Sequence, residues 1–256
     1  MSEGFQFKQF YVRHDRCAMK VGTDGVLLGA WTPVLNQQSP ITNQQSPFRV
    51  LDIGTGSGLI ALMLAQRCPS ARIDAIDIDV EAVAQAQENF LHSPWSDHLA
   101  AYHSSLQDWS IPDHQSPITN QTTYSLIVSN PPYFRNSLKN PDKGREQARH
   151  TDSLSYEELI ARSADLLATD GQLALILPAE TEKEICQLAQ AQSLALTRIT
   201  RVFSKVSKPA RRVLLCFAKL PTTSHQSPIL EDSLVLEDDH GGRSDAYRLL
   251  TQDFYL

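Results

Sequence analysis

A chain of 256 residues, 41% hydrophobic and 20% charged, is long enough to bury a full α/β core and has the composition of an ordinary globular protein. No apolar run reaches the ~18 residues of a membrane helix, and the N-terminus MSEGFQFKQF reads as neither a secretory signal nor a transit peptide, so a cytoplasmic chain is expected. Four scattered cysteines (Cys17, Cys68, Cys186, Cys216) without a C-x-x-C pair, and eight equally scattered histidines, point to neither a disulfide framework nor a metal site.

Apolar runs bounded by turn residues alternate with helical patterns, the signature of βα units around a parallel sheet. Arg49–Ile53 reads as a strand, followed by a glycine turn and a helix through about Gln66. Ala71–Ile76 is a second strand, Val80–Leu91 a helix, Leu99–His103 a third strand and Ser125–Ser129 a fourth. Tyr156–Leu167 is helical, Gln172–Leu177 a fifth strand and Glu180–Gln192 a further helix. Leu196–Phe203 and Val213–Ala218 lie close enough to form an antiparallel pair at the sheet edge. Between these elements stand three related polar segments, NQQSPITNQQSP at Asn36–Pro47, HQSPITNQ at His114–Gln121 and HQSPI at His225–Ile229. Such Pro-punctuated, polar sequence cannot build core and suits inserted surface loops without a catalytic role.

The first chemical signal is Asp52-Ile53-Gly54-Thr55-Gly56-Ser57-Gly58, placed after a strand and opening a helix. Glycines there allow a tight turn and close approach of the backbone to a ligand. By itself a glycine turn is shared with dinucleotide enzymes. Asp52 ahead of the glycines would repel a pyrophosphate but can pair with the ammonium of an amino-acid-bearing cofactor. A second acid, Asp77, ends the next strand, where a ribose diol would lie. This pair of acids suits S-adenosyl-L-methionine better than NAD.

The second signal is Asn130-Pro131-Pro132-Tyr133 after the fourth strand. An exocyclic amine is a poor nucleophile because its lone pair is delocalised. To attack a methyl sulfonium it needs acceptors for its hydrogens. The Asn130 side-chain oxygen and the Pro131 carbonyl can supply two, and consecutive prolines hold such carbonyls rigidly at φ near about −65°. Tyr133 offers a face on which a flipped base can stack. The bland alternative is a strand-ending N-P-P turn.

Asn130–Tyr133 resembles the N-P-P-Y motif of the amino-methyltransferases, and Asp52–Gly58 the cofactor loop of class I S-adenosylmethionine enzymes. Phe7–Phe10, Met19–Trp31, Glu88-Asn89 through Trp95, Lys208-Pro209 through Leu215, and Tyr247–Leu256 are similar to the bacterial tRNA(Val) adenine-37 N6-methyltransferase family. The likeness covers nearly the whole chain apart from the repeat segments. It implies a Rossmann-like α/β fold: one domain over 1–256, with a seven-stranded, mostly parallel sheet whose last strand is antiparallel and helices on both faces. Residues 1–48 would pack over the cofactor.

The resemblance further implies that Asp52, Gly54, Thr55 and Gly56 line the methionine part of the cofactor, with Lys20, Thr23 and Asp24 near the same end. Asp77 and Ile78 would face its ribose. Asn130 and Tyr133 would hold the target adenine, with Phe134 as a second aromatic. The end of the third strand often carries an acid for the cofactor's adenine; here Ser105 and Leu106 stand nearest, with Asp108 three residues on.

A tRNA substrate, met at its anticodon stem-loop, needs basic partners for its phosphates. The net charge of −6 conceals a split: seven Lys or Arg and no acid between Arg198 and Lys219, against seven acids and two arginines from Glu231 onward. Lys205, Lys208, Arg211 and Arg212 are the first candidates, and Lys139, Lys143, Arg145 and Arg149 the second. The alternative for both groups is solvated loop charge. A protein glutamine methyltransferase, which shares N-P-P-Y, would bring a helical module for which the 51 residues ahead of Asp52 leave little room. A ribosomal RNA guanine-N2 methyltransferase would bring an extra module, and a DNA adenine methyltransferase a larger recognition region. A non-catalytic S-adenosylmethionine sensor would have no need of the Asn130–Tyr133 acceptors.

Overall fold

The computed structural model describes residues 3–17, 19–34, 48–112, 123–131, 154–219 and 228–256. Two short strands, β1 (Gly4–Gln6) and β2 (Tyr11–Arg13), pair as an antiparallel hairpin and lead into α1 (Thr23–Trp31). The βα alternation follows: β3 (Arg49–Ile53), α2 (Leu59–Arg67), β4 (Arg72–Asp77), α3 (Val80–Leu91), β5 (Leu99–His103), β6 (Tyr124–Ser129), α4 (Tyr156–Leu166), β7 (Leu167–Pro178) and α5 (Glu182–Ala191). The chain closes with β8 (Leu194–Phe203), β9 (Ala210–Lys219), β10 (Leu230–Val235) and α6 (Asp245–Thr251). The repeat segments at 36–47 and 114–121 lie outside the described residues, as does the third except for Pro228 and Ile229.

Among the described residues the main sheet has eight strands, in the order β10-β8-β9-β7-β6-β3-β4-β5. Every neighbouring pair is parallel except β7–β9 and β8–β9, so β9 alone runs against the rest. Mostly parallel order with helices between strands is the class that the sequence implies. The strand count is corrected from seven to eight: β8 and β9 form the expected antiparallel pair, but β10 adds outside β8 and takes the edge. Little apolar surface holds β10, since among its six residues only Leu234 is buried. Charge pairs across to β8 do the work instead, with Arg198 Nη2 donating to Asp232 at 3.2 Å and Arg201 to Glu231. A strand of that kind has neither the alternation nor the apolar run by which strands are read.

Successive strand residues face opposite sides of the sheet, and the core divides accordingly. Val50, Ile73, Leu126, Val128 and Ile176 pack with α1, α2 and α3, while Leu51, Ile76, Ile127, Leu173 and Leu175 pack with α4 and α5. Strands buried on both faces therefore read as continuous apolar runs. Helix starts follow local rules: α4 opens with a capping box in which Ser155 Oγ accepts from the Glu158 amide at 3.1 Å and Glu158 accepts from the Ser155 amide at 2.9 Å. Beneath the sheet's amino end, Arg49 Nη2 meets Asp74 at 2.7 Å and Tyr124 donates its hydroxyl to the same carboxylate at 2.8 Å, all buried. Among the described residues no helix is long and apolar enough to cross a membrane.

Candidate functional site

Strand order reverses at β3, which has β4 on one side and β6 on the other. Ligands of open parallel sheets bind at the carboxyl ends of the strands flanking such a reversal. Two segments meet there, the glycine turn after β3 and Asn130-Pro131 after β6. A cleft of about 210 Å3 opens between them, walled on the third side by Met19, Lys20, Thr23 and Asp24 from the segment entering α1.

The turn owes its shape to glycine. Gly54, Gly56 and Gly58 have φ of 70°, 55° and 79°, values at which a side chain is strained. At Gly54 and Gly56 the space a Cβ would occupy is open, which leaves bare backbone for a ligand to approach. The amides of Gly54 and Thr55 donate to the Ile76 carbonyl at 2.9 and 3.1 Å, and the Gly56 amide to Asp77 Oδ2 at 2.9 Å. The turn is thus tied to the end of β4 before any ligand enters.

Asp52 is fully buried just ahead of the turn. Thr55 Oγ1 donates to its Oδ2 at 2.7 Å, while Oδ1 has no hydrogen-bond partner among the described residues. Burial drives its carboxyl up to about 7, against the Thr55 hydrogen bond, which pulls the other way. A buried carboxylate with one oxygen unmatched is a group that a cation can satisfy, which fits the ammonium of S-adenosylmethionine. Asp77 Oδ1 accepts from the Asp79 amide at 3.0 Å. Each oxygen of a carboxylate has two lone pairs, so Asp77 keeps acceptor capacity for a diol. Beside it, Cys17 is buried and its thiol is pushed up to about 11, by burial first and then by Asp77 and Asp79.

Of the residues expected at the cofactor, Lys20, Thr23, Asp24, Gly54, Thr55, Gly56 and Asn130 line one cleft together with Pro131. Asp52 and Asp77 stand just behind this lining, hydrogen-bonded to Thr55 and Gly56. Ile78 is 57% exposed on the loop after β4. That loop is joined to the one after β5, where the Ser104 amide donates to the Asp77 carbonyl at 3.0 Å. Ser105 Oγ donates to Asp108 Oδ2 at 2.7 Å, so the two candidates for the cofactor's adenine act as one unit. Leu106 is packed in the core beside Trp109. Pro132, Tyr133, Phe134, Lys139 and Arg149 lie outside the described residues.

Of the basic candidates, Lys205, Lys208 and Arg211 are exposed on the β8–β9 hairpin. β8 runs parallel to β7 and hence to β3, so its carboxyl end, and the hairpin turn with it, rises on the same side of the sheet as the cleft. Lys205 pairs with Glu237 at 3.3 Å. Arg212 instead turns to the cleft wall and donates through Nε to Asp24 Oδ2 at 2.9 Å.

The sequence reading omitted Ser57, Leu59 and Ile60, which also line the cleft, and His14, whose Nδ1 accepts from the Val21 amide at 3.1 Å and whose carbonyl takes Lys20 Nζ at 2.6 Å. Nothing in residue type or spacing marks His14, because its role arises from a loop closing on itself.

Residues 38–191 match the methyltransferase small domain. Proteins named tRNA1(Val) (adenine(37)-N6)-methyltransferase are similar along nearly the whole chain: one from Bacteroides fragilis is 44% identical over 98% of this chain and 97% of its own. Another from Pectobacterium carotovorum is 43% identical over 99% and 94%. Among solved structures, one described as a predicted O-methyltransferase from Agrobacterium tumefaciens superposes with a TM-score of 0.63 at 16% identity, covering 90% of this chain and 96% of that one. Another, described as a putative class I S-adenosylmethionine-dependent methyltransferase from Listeria monocytogenes, superposes with a TM-score of 0.56 at 12% identity, covering 82% of this chain and 62% of that one. At those identities the structural likeness speaks for the fold alone. With the family model over residues 38–191, full-length relatives at 43–44% identity and a glycine-turn cleft at the reversal point in agreement, the chain belongs to the tRNA1(Val) (adenine(37)-N6)-methyltransferase family.

Proposed function

We propose that this chain transfers a methyl group from S-adenosylmethionine to N6 of adenine 37 of tRNA1(Val), meeting the tRNA at its anticodon stem-loop. The observation that carries the reading is the convergence of Gly54–Gly56 and Asn130-Pro131 on one cleft, in a chain similar along its full length to enzymes named for that reaction. When bound, the cofactor supplies an activated methyl on a sulfonium, so that the N6–carbon bond forms as the carbon–sulfur bond breaks.

The chain's own residues position and polarise. The bare turn at Gly54 and Gly56 lets the cofactor's amino-acid end approach, Asp52 and Asp24 answer its ammonium, and Lys20 and Thr23 border its carboxylate. Asp77 and Ile78 serve the ribose, and Ser105 with Asp108 and Leu106 the adenine ring. Asn130 Oδ1 and the Pro131 carbonyl accept the two N6 hydrogens, which draws the nitrogen lone pair out of conjugation and towards the methyl. Pro132 keeps that carbonyl rigid, and Tyr133, flanked by Phe134, stacks on the extruded base. The proton shed from N6 leaves along the same acceptors to solvent, so no dedicated base is required.

Anticodon-loop bases are unpaired and extrude at little cost. The stem's phosphates meet the exposed hairpin cations Lys205, Lys208 and Arg211, together with Lys139 and Arg149 from the segment after Tyr133, while Arg212 at the hairpin's foot is engaged by Asp24. Incubating the pure protein with labelled S-adenosylmethionine and tRNA from cells lacking the activity, then analysing nucleosides by mass spectrometry, tests the reading. N6-methyladenosine is the expected product. Label in N2-methylguanosine, or in a protein glutamine, overturns the substrate while keeping the chemistry.

A further inference from the structure

Asn89, on the buried face of α3, makes three hydrogen bonds to two segments far apart in sequence. Its Oδ1 accepts from the Arg13 amide at 2.9 Å. Its Nδ2 donates to the Arg13 carbonyl at 2.8 Å and to the Ser57 carbonyl, inside the glycine turn, also at 2.8 Å. The side chain is 3% exposed, and its acceptor and both donor hydrogens have work that no other single side chain type at that length could do. Towards residue 13 the amide behaves as a neighbouring strand would, pairing with the edge of β2 that faces away from β1. Towards residue 57 it holds the turn that bares its backbone to the cleft.

The rest of that helix face cooperates. Gln85, one turn earlier, accepts from the Arg16 amide at 3.2 Å, and Glu88 pairs with Arg13 at 3.0 Å and with Arg16. Residues 13–16 are therefore clamped along α3, and the chain runs directly from that clamp into Met19–Asp24, the third wall of the cleft. Among the clamp's members, Asn89 also reaches the glycine turn, through the Ser57 carbonyl. We infer that Asn89 is a positioning residue that couples the seating of the N-terminal segment to the shape of the glycine turn, so that the two walls of the cofactor cleft are set as one unit. This rests on the reading of the cleft as the cofactor's.

The test is binding of S-adenosylhomocysteine by calorimetry, together with steady-state kinetics and hydrogen exchange. Asn89→Asp keeps the acceptor for the Arg13 amide but turns an oxygen towards both carbonyls. It should weaken binding roughly tenfold and raise the cofactor KM in step, while the tRNA KM and kcat at saturating cofactor stay within about twofold. A general loss of packing would instead impair cofactor binding, the tRNA KM and kcat together. In the wild-type protein, which carries the test if the variant folds poorly, amides of residues 13–24 and 54–58 should gain protection together when S-adenosylhomocysteine is added. Variant affinity within twofold of wild type, or protection of 54–58 without 13–24, overturns the coupling and leaves the methyltransferase reading intact. Absence of binding by the wild type overturns both.

Discussion

Arg212 donates through Nε to Asp24 Oδ2 at 2.9 Å, joining the foot of the basic β8–β9 hairpin to the rim of the cleft proposed for the cofactor. Its neighbour Arg211 points away, exposed. The two adjacent arginines should therefore separate by function. Arg212→Ala should weaken S-adenosylhomocysteine binding about two- to fivefold, the scale of a partly exposed ion pair, and leave the salt dependence of tRNA binding nearly unchanged. Arg211→Ala and Lys208→Ala should each lower that salt slope by about one and leave cofactor affinity alone. Filter binding from 50 to 200 mM salt, the range in which such contacts show, checks the second half. An Arg212→Ala enzyme with a reduced slope and normal cofactor affinity would reverse the assignment.

Asp52 predicts a pH signature. Its carboxyl stands at about 7 when buried, against 3.8 for the free side chain. Between about pH 4 and pH 7 the unfolded chain has released a proton that the folded chain retains, so this group's contribution to stability falls as pH rises across that window and is level above it. Three units correspond to roughly 4 kcal/mol at most. Asp52→Asn should remove the dependence, being more stable than wild type at pH 8 by a few kcal/mol and similar to it at pH 4, while losing most cofactor affinity. Urea titrations of both proteins at several pH values report the difference; a gap that does not change with pH contradicts it. Because the ammonium of the cofactor favours ionised Asp52, wild-type cofactor affinity should rise with pH up to about 7.

At the opposite end of the sheet, Arg49 and Asp74 form a buried pair at 2.7 Å. Arg49→Met removes the cation from the buried Asp74 carboxylate, whose Oδ2 keeps the Tyr124 hydroxyl. A buried charge stripped of its partner costs about 3–5 kcal/mol. Thermal melts should show that loss with cofactor KM unchanged below the transition; a shift in KM would mean that this network reaches the cleft.

Asn130 and Tyr133 should differ in kind. If Asn130 accepts an N6 hydrogen as proposed, Asn130→Ala should lower turnover roughly 100- to 1000-fold with cofactor binding preserved. Tyr133→Ala should chiefly weaken base capture, by about 1–3 kcal/mol. Unimpaired turnover in Asn130→Ala would remove it from the chemistry. Full activity in Tyr133→Ala would transfer the stacking to Phe134.

The legible part of this protein was what local pattern controls. β3, α3 and β5 fall where the sequence puts them, because a doubly covered strand is a continuous apolar run and α3 carries a clear stripe capped by Asp79. The glycine turn and Asn130-Pro131 were legible as segments with special backbone demands, which glycines and prolines announce directly, and both line one cleft. What was not legible depends on partners distant in sequence. β10 is held by charges on β8, β1 and β2 are three residues each, and Asn89 looks like one more polar residue on an amphipathic helix until Arg13 and Ser57 are seen to meet it. The same limit applies to Arg212: the sequence shows a cation in a basic run, and only the fold shows that Asp24 has claimed it.

The most direct measurement uses two transcripts of tRNA1(Val), one with adenine and one with guanine at nucleotide 37, each incubated with the protein and labelled S-adenosylmethionine. The account predicts one methyl per molecule of the first, recovered as N6-methyladenosine, and none in the second. Equal labelling of both, or label recovered as any other nucleoside, would contradict it.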